Sequence, residues 1–132
     1  MTERPEAADL LEEARRNLLE VLLPLLPHHR RYDGLMVANA MAIASRDARM
    51  GDEVLQDEVR RLATLLDARG ATDGPSNAQH AKLQELERQL AQDIRRGAYD
   101  APGLRRDALR AYLRASTQGR VRLSNPKALA GA

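Results

Sequence analysis

The stretch LMVANAMAIASRD, residues 35–47, most constrains what this chain can fold into. Ten of its first eleven residues are apolar or small, Asn39 is the exception, and the stretch closes on Arg46 and Asp47. An apolar run of about eleven residues is too short for a membrane span, which needs about 20. The stretch therefore predicts a helix that is apolar almost all round, lies at the centre of a helical bundle and does not cross a membrane.

The composition points the same way. The chain has 132 residues, enough for one domain with its own core, and it contains no Phe, no Trp and three Tyr. Its apolar residues are nearly all Leu and Ala, which favour helices. The chain has no Cys, and acidic residues stand in MTERPEAADL where a signal peptide has a basic and an apolar region. We expect a cytoplasmic protein.

The apolar spacing predicts an all-α fold, a compact bundle of about five helices. Pro24 and Pro27 are expected to disrupt the end of the first helix, and Gly51, Gly70 and Gly97 are expected to end later ones. The predicted helices cover residues 8–26, from 29 or 34 to about 50, 52–69, 76–97 and 102–116.

The remaining segments are predicted as loops and a tail. Residues 71–77, ATDGPSN, are rich in turn residues, and Ser76 to Gln79 resemble a capping box that opens the fourth helix. After residue 116, TQGRVRLSNPKALAGA has no clear helical period. We therefore predict a helical bundle domain over residues 1–116 and a largely irregular C-terminal tail over residues 117–132.

Charge is distributed unevenly along the chain. The net charge is +2, the sum of −1 over residues 1–50, −3 over residues 51–100 and +6 over residues 101–132. A basic end on an acidic body favours a docking surface for an acidic partner or a phosphate, with a solvated terminus as the plain alternative. The candidate contacts are Arg105, Arg106, Arg110 and Arg114.

The sequence contains no recognisable catalytic constellation. It lacks a Gly-rich phosphate loop, a nucleophile paired with a base and an HExxH pattern. His28 and His29 are adjacent, so on a helix they point about 100° apart and do not form a metal-binding pair. The acidic pairs, among them residues 57–58, are typical of helix starts. We predict no catalytic residue, no metal and no cofactor.

Asn39 and Arg46 are the most informative polar pair. Seven residues apart, they lie on nearly the same stripe of the second helix. A buried Asn costs on the order of 1–3 kcal/mol unless its amide is hydrogen-bonded. We therefore interpret Asn39 as tying its helix to a neighbouring carbonyl and Arg46 as pairing with a Glu of the first helix. Contact with a ligand or partner is the alternative.

Three segments together carry a resemblance to a known family. RPEAADLLEEARRNLLEVLLPLL, RYDGLMVANAMAIASRD and the LSNP of the tail follow one another in the chain. They resemble a family of small bacterial domains of unknown function that accompany aminoglycoside-phosphotransferase-like kinases and acyl-CoA dehydrogenases. That family includes the small subunit of the levulinate-pathway kinase that phosphorylates 4-hydroxyacyl-CoA. The matching positions are Arg4, Pro5, the run from Val37 to Ile43 with Asn39, Arg46, Gly51, Asn125 and Pro126.

The resemblance implies a non-catalytic accessory subunit whose protein partner is such a kinase. A helical DNA-binding regulator that uses the Arg-rich fifth helix is the alternative, although a net acidic body and few aromatic residues disfavour nucleic acid. A free-standing helical enzyme or ligand carrier is a third possibility. Apolar faces on five helices also allow a homo-oligomer.

Overall fold

The computed structural model describes residues 6–68, 70 and 74–131, and these residues form helices joined by short turns, with no strand among them. The predicted all-α fold is confirmed. The predicted first helix is an α-helix only up to Asn17; a π-helical turn, Leu18–Leu22, and a 3₁₀ turn, Leu23–Leu25, follow it. A second 3₁₀ turn, His28–Arg30, comes after Pro27. The α-helices are α1 Ala7–Asn17, α2 Arg31–Leu65, α3 Ser76–Arg95, α4 Leu104–Ser124 and α5 Pro126–Ala130.

Helix α2 contains both the second and the third predicted helix, so the predicted stop at Gly51 is wrong. A glycine inside a helix costs about 1 kcal/mol relative to Ala. Burial of Val59 and Leu62, both 0% exposed, outweighs that cost because each fully buried aliphatic side chain contributes about 1.5–3 kcal/mol. Apolar residues continue past Gly51 at helical spacing, and the helix continues with them.

The chain divides into two compact units, each with its own packing. One unit comprises Met1–Gly51 with Leu123–Asn125, and the other comprises Asp52–Arg122 with Pro126–Ala132. The main hydrophobic cluster lies in the second unit, where the later half of α2 packs against α3 and α4. Its buried members are Leu55, Val59, Leu62, Ala63, Leu83, Leu86, Leu90, Tyr99, Leu109 and Tyr112.

The first unit is held largely by small and polar groups. Ala8 of α1 and Ala38 and Ser45 of α2 are buried, and the Ser45 hydroxyl donates to the Ala8 carbonyl at 3.4 Å. The prediction that residues 35–47 form the central, all-round buried helix is therefore wrong. Small residues on one side let α1 approach closely, whereas Leu35, Met36 and Val37 are about half exposed.

The predicted irregular tail is also wrong in its secondary structure, since α4 continues to Ser124 and α5 follows. Gly119 is buried inside α4. A Cβ built on it would lie 3.1 Å from Val54 Cγ1 of α2. The glycine permits a close approach between the two helices and does not end α4. The division into a 1–116 domain and a 117–132 tail stays a prediction.

Local chemistry sets several helix ends. Gly97 follows α3 with a φ of 83°, a left-handed conformation that favours glycine, and its N–H donates to Ile94 O at 3.0 Å. Helix α3 begins at Ser76 as predicted, but without the capping box, because the Ser76 hydroxyl donates to Asp52 Oδ1 at 2.6 Å. Helix α2 ends at Leu65, before the predicted stop at Gly70.

Some predictions fall on residues 1–5, 69, 71–73 and 132, outside the described part of the chain. These include Arg4 and Pro5 and part of the loop 71–77. Among the described helices, none is long and apolar enough to cross a membrane.

Candidate functional site

Arg46 links two of the segments that carry the family resemblance. Its Nε donates to the carbonyl of Leu123 at 2.6 Å, and its Nη2 donates to that of Ser124 at 3.3 Å. These carbonyls belong to the last turn of α4, where no intrahelical donor remains. The predicted pairing of Arg46 with a Glu of the first helix is wrong. Arg49 makes that contact, at 2.9 Å to Glu12 Oε1, and this hydrogen bond lowers the pKa of Glu12.

Asn125 and Pro126 lie directly after the carbonyls that Arg46 binds. Asn125 is non-helical, and Pro126 is the first residue of α5. Proline suits the first position of a helix because its missing N–H has no intrahelical partner there. The LSNP sequence therefore ends one helix and starts another, and Arg46 satisfies the carbonyls at the break.

Asn39 lies on the same side of α2 as Arg46, but its side chain is exposed. No hydrogen bond among the described residues uses its amide. The interpretation of Asn39 as a buried amide that ties α2 to a neighbouring carbonyl is therefore wrong. Within residues 35–47 only Ala38 and Ser45 are buried, and both contact residues of α1.

The four candidate arginines of α4 lie in two environments. Arg105 lies over the ring of Tyr99, 5.2 Å from its centroid, in a cation–π contact. Arg106 is half-buried, and its Nη1 donates to the carbonyl of Asp100 at 3.3 Å. Both side chains thus secure the turn that precedes α4.

Arg110 and Arg114 are exposed on the side of α4 that faces away from the core. At about 100° per residue, they lie more than 90° from the buried positions Leu109 and Tyr112. Neither arginine forms a hydrogen bond or an ion pair with another residue in the described part of the chain. The pair forms a one-turn basic surface that is free to meet an acidic group.

A second polar site, which sequence reasoning missed, lies inside the second unit. Glu58 of α2 is 6% exposed, and its Oε1 accepts from the Ser116 hydroxyl at 2.6 Å and from Arg120 Nη2 at 2.7 Å. Arg120 Nη2 also donates to Glu87 Oε1 of α3 at 3.0 Å. We call these four residues the Glu58 network. It joins α2, α3 and α4 through one buried carboxylate.

The sequence held a signal for this network. Leu55, Glu58 and Leu62 are three and four residues apart, which places the carboxylate on the buried stripe of α2. Reading Glu58 together with Asp57 as a solvated acidic pair overlooked that spacing. Only Asp57 is exposed, and it pairs with Arg61 at 2.7 Å.

Charge and burial around Glu58 shift the pKa values of Tyr112 and Arg120. Burial, and then the negative charge of Glu58, raises the pKa of Tyr112 to about 12. The hydrogen bond to Glu58 raises the pKa of Arg120 above its ordinary value. A cavity of about 400 Å³ opens beside Glu58 between α2 and α4, and Arg60, Arg61 and Arg122 are also among its lining residues.

The chemistry of the network fits a structural tie better than a reaction. The Ser116 hydroxyl and Arg120 both donate to the same carboxylate oxygen, so Glu58 holds both side chains in place. Among the described residues, no three His, Cys, Asp or Glu side chains are grouped to hold a metal ion. His28, His29 and His80 are exposed. The absence of catalytic, metal and cofactor sites stays a prediction.

The comparisons with known proteins give one match. The family model described as "Domain of unknown function (DUF6285)" matches residues 24–128. The matched segment begins after α1 and includes Asn39, Arg46, the four candidate arginines and the LSNP break. No curated protein and no solved structure matches the chain.

Proposed function

The chain belongs to the DUF6285 family, and from this premise we propose that it is a non-catalytic accessory subunit that binds a protein partner. The partner class is an aminoglycoside-phosphotransferase-like kinase that acts on a hydroxyacyl-CoA. The partner class comes from the resemblance in RYDGLMVANAMAIASRD and LSNP, and the binding role comes from the chain's own surface. The proposed location is the cytoplasm.

The observation that carries the binding role is the basic surface of Arg110 and Arg114. Both side chains are exposed on the side of α4 that faces away from the core. Helix α4 carries six Arg and one Asp, and the Glu58 network neutralises only Arg120. Such a surface suits an acidic patch on a partner, because complementary charge speeds encounter and fixes orientation.

The test is to co-express the chain with an aminoglycoside-phosphotransferase-like kinase from the same genome and to measure phosphorylation of a hydroxyacyl-CoA with and without the chain. We expect the kinase to co-purify with the chain and to need it for full activity. Kinase turnover by the isolated chain would overturn the accessory role.

The binding surface is tested with the double variant Arg110→Glu, Arg114→Glu. Each exposed charge at an interface rim contributes on the order of 1 kcal/mol, so reversal of both should weaken partner binding by at least about tenfold. The matched control is Arg88→Glu, Arg95→Glu, which makes the same charge change at exposed positions of α3. Equal loss in both double variants would show that net charge, and not this surface, governs binding.

A helical DNA-binding regulator is the second candidate, favoured by the same arginines. A protein that neutralises several phosphates loses affinity steeply as salt rises. Retention on duplex DNA that falls in this way, and that the Arg110→Glu, Arg114→Glu variant abolishes, would favour the regulator. We expect no such retention at physiological salt.

A further inference from the structure

A mostly apolar groove lies on the surface of the second unit, between the later half of α2 and α4. Its volume is about 460 Å³, and its lining residues all belong to these two helices. Its apolar wall consists of Leu65, Ala108, Ala111 and Tyr112. Ala108 and Ala111 are exposed, and their small side chains leave the space open. A largely apolar concave site of this size with few polar groups is typical of small-molecule sites. We call it the α2–α4 groove.

The polar side of the groove is formed by α2 alone, with Asp57, Arg60, Arg61 and Thr64. Asp57 and Arg61 neutralise each other, with 2.7 Å between Oδ2 and Nε. The Thr64 hydroxyl donates to the carbonyl of Arg60 at 2.9 Å, so it is engaged within α2. The Arg60 guanidinium forms no hydrogen bond or ion pair with another residue in the described part of the chain. The lining of the groove therefore carries one uncompensated positive charge, on Arg60.

The charge and the apolar wall together indicate the class of ligand. A carboxylate takes two parallel N–H donors from an arginine side chain, so Arg60 suits such a group. The net positive charge of the groove disfavours an amine. The apolar wall stabilises a ligand by removing an apolar body from water, and a small hydrated anion has no such body. Only a ligand that has both parts uses the whole groove.

We propose that the α2–α4 groove binds a small organic carboxylate with an apolar body. The carboxylate contacts the guanidinium of Arg60, and the body lies against the apolar wall. The arginines of the basic surface of α4 do not line this groove. The proposal therefore does not depend on the function proposed above.

The first measurement is a titration of the full chain with 4-phenylbutyrate, followed by the amide shifts in ¹H–¹⁵N NMR spectra. The probe has about 12 non-hydrogen atoms, so a ligand efficiency typical of small molecules predicts a dissociation constant on the order of 1 mM. The shifts should concentrate around Leu65 on α2 and between Ala108 and Tyr112 on α4. The spectra therefore report both the affinity and the place of binding.

The second measurement separates the two parts of the ligand. 4-Phenylbutylamine and 4-phenylbutanol keep the body of the probe and replace its carboxylate, so both should bind at least about fivefold more weakly. Acetate keeps the carboxylate without the body and should cause no saturable shift. This order of affinities follows only if the charge and the apolar wall act on one ligand together.

Two variants test the two sides of the groove. Arg60→Gln removes the charge and should weaken binding of 4-phenylbutyrate at least about fivefold, whereas Arg88→Gln makes the same change at an exposed position of α3 and should leave it unchanged. Ala111→Trp fills the groove and should abolish binding, whereas Gln89→Trp adds the same ring at an exposed position of α3. Because all four positions are exposed, circular dichroism should report a folded chain for each variant.

Several results would overturn the proposal. One is the absence of a saturable shift with 4-phenylbutyrate up to about 10 mM, well above the expected dissociation constant. Another is equal affinity for the carboxylate and the amine, because Arg60 would then not select the ligand. Equal loss in Arg60→Gln and Arg88→Gln would assign binding to net charge. Unchanged binding in Ala111→Trp, or shifts confined to other helices, would place the ligand elsewhere.

Discussion

Replacing Glu58 by Gln keeps the shape of a buried side chain and removes its charge, which tests the Glu58 network directly. The Gln Oε1 can still accept from Ser116 and Arg120, so the variant changes the strength of the hydrogen bonds more than their number. Glu58 is 6% exposed, so its carboxylate is largely removed from bulk water.

The expected cost follows from the two bonds that Glu58 Oε1 accepts, at 2.6 and 2.7 Å. A hydrogen bond to a charged group contributes about 1.5–3 kcal/mol, against about 0.5–1.5 kcal/mol for a neutral pair. The Arg120 side chain is 60% exposed, so solvent screens its share. We expect Glu58→Gln to lower the free energy of unfolding by about 1–2 kcal/mol.

Urea denaturation followed by circular dichroism at pH 7 measures this cost. Glu53→Gln makes the same chemical change at an exposed position of α2, and it should alter stability by less than about 0.5 kcal/mol. Arg120→Ala and the double variant complete a cycle. Direct contact predicts that the double variant loses less stability than the sum of the single ones by at least about 0.5 kcal/mol.

Two results would refute this reasoning. If Glu58→Gln lowers stability no more than Glu53→Gln does, the buried carboxylate does not tie the helices together. If the Glu58 and Arg120 effects add without coupling, each residue contributes through other neighbours.

Two further predictions concern the end of α4 and the buried tyrosine. Arg46→Ala should destabilise the chain by about 1–2 kcal/mol, because two helix-end carbonyls lose a charged donor. Hydrogen exchange should quicken in the last turn of α4, and Arg46→Lys should restore part of the lost stability. Unchanged exchange would contradict the capping role. The pKa of Tyr112 is raised from 10 to about 12. The contribution of the protonated Tyr112 hydroxyl to folding stability is therefore intact below pH 10. It is lost as pH rises from 10 to 12, where only the unfolded chain releases the proton. Stability should fall by up to about 1.4 kcal/mol per pH unit more than in Tyr112→Phe across that window, and parallel declines in the two proteins would contradict it.

Local sequence was a good guide where a feature depends on neighbouring residues in the chain. Leu and Ala at helical spacing predicted the all-α fold, and Gly97 predicted the end of α3 because a left-handed residue there favours glycine. Pro24 and Pro27 likewise coincide with the change from α-helix to 3₁₀ turns.

The candidate site was less accessible to this reasoning. The partner of Arg46 lies 77 residues away, and helical periodicity does not indicate which distant backbone carbonyls come near this side chain. The network of Glu58 had a spacing signal, but its partner Arg120 lies 62 residues away in a segment that was predicted to be irregular.

The sequence by itself determined the all-α class, because helix formation is favoured by residue type and side-chain spacing within a few turns. Only the tertiary structure decided what each face meets. Gly51 and Gly119 both lie within helices. Gly119 allows α4 to approach Val54 of α2 closely, because a Cβ there would lie 3.1 Å from Val54 Cγ1. Asn39, which was expected to be buried, is exposed, and the acidic Glu58 is buried. Burial depends on which helix packs against a face and not only on the type of residue there.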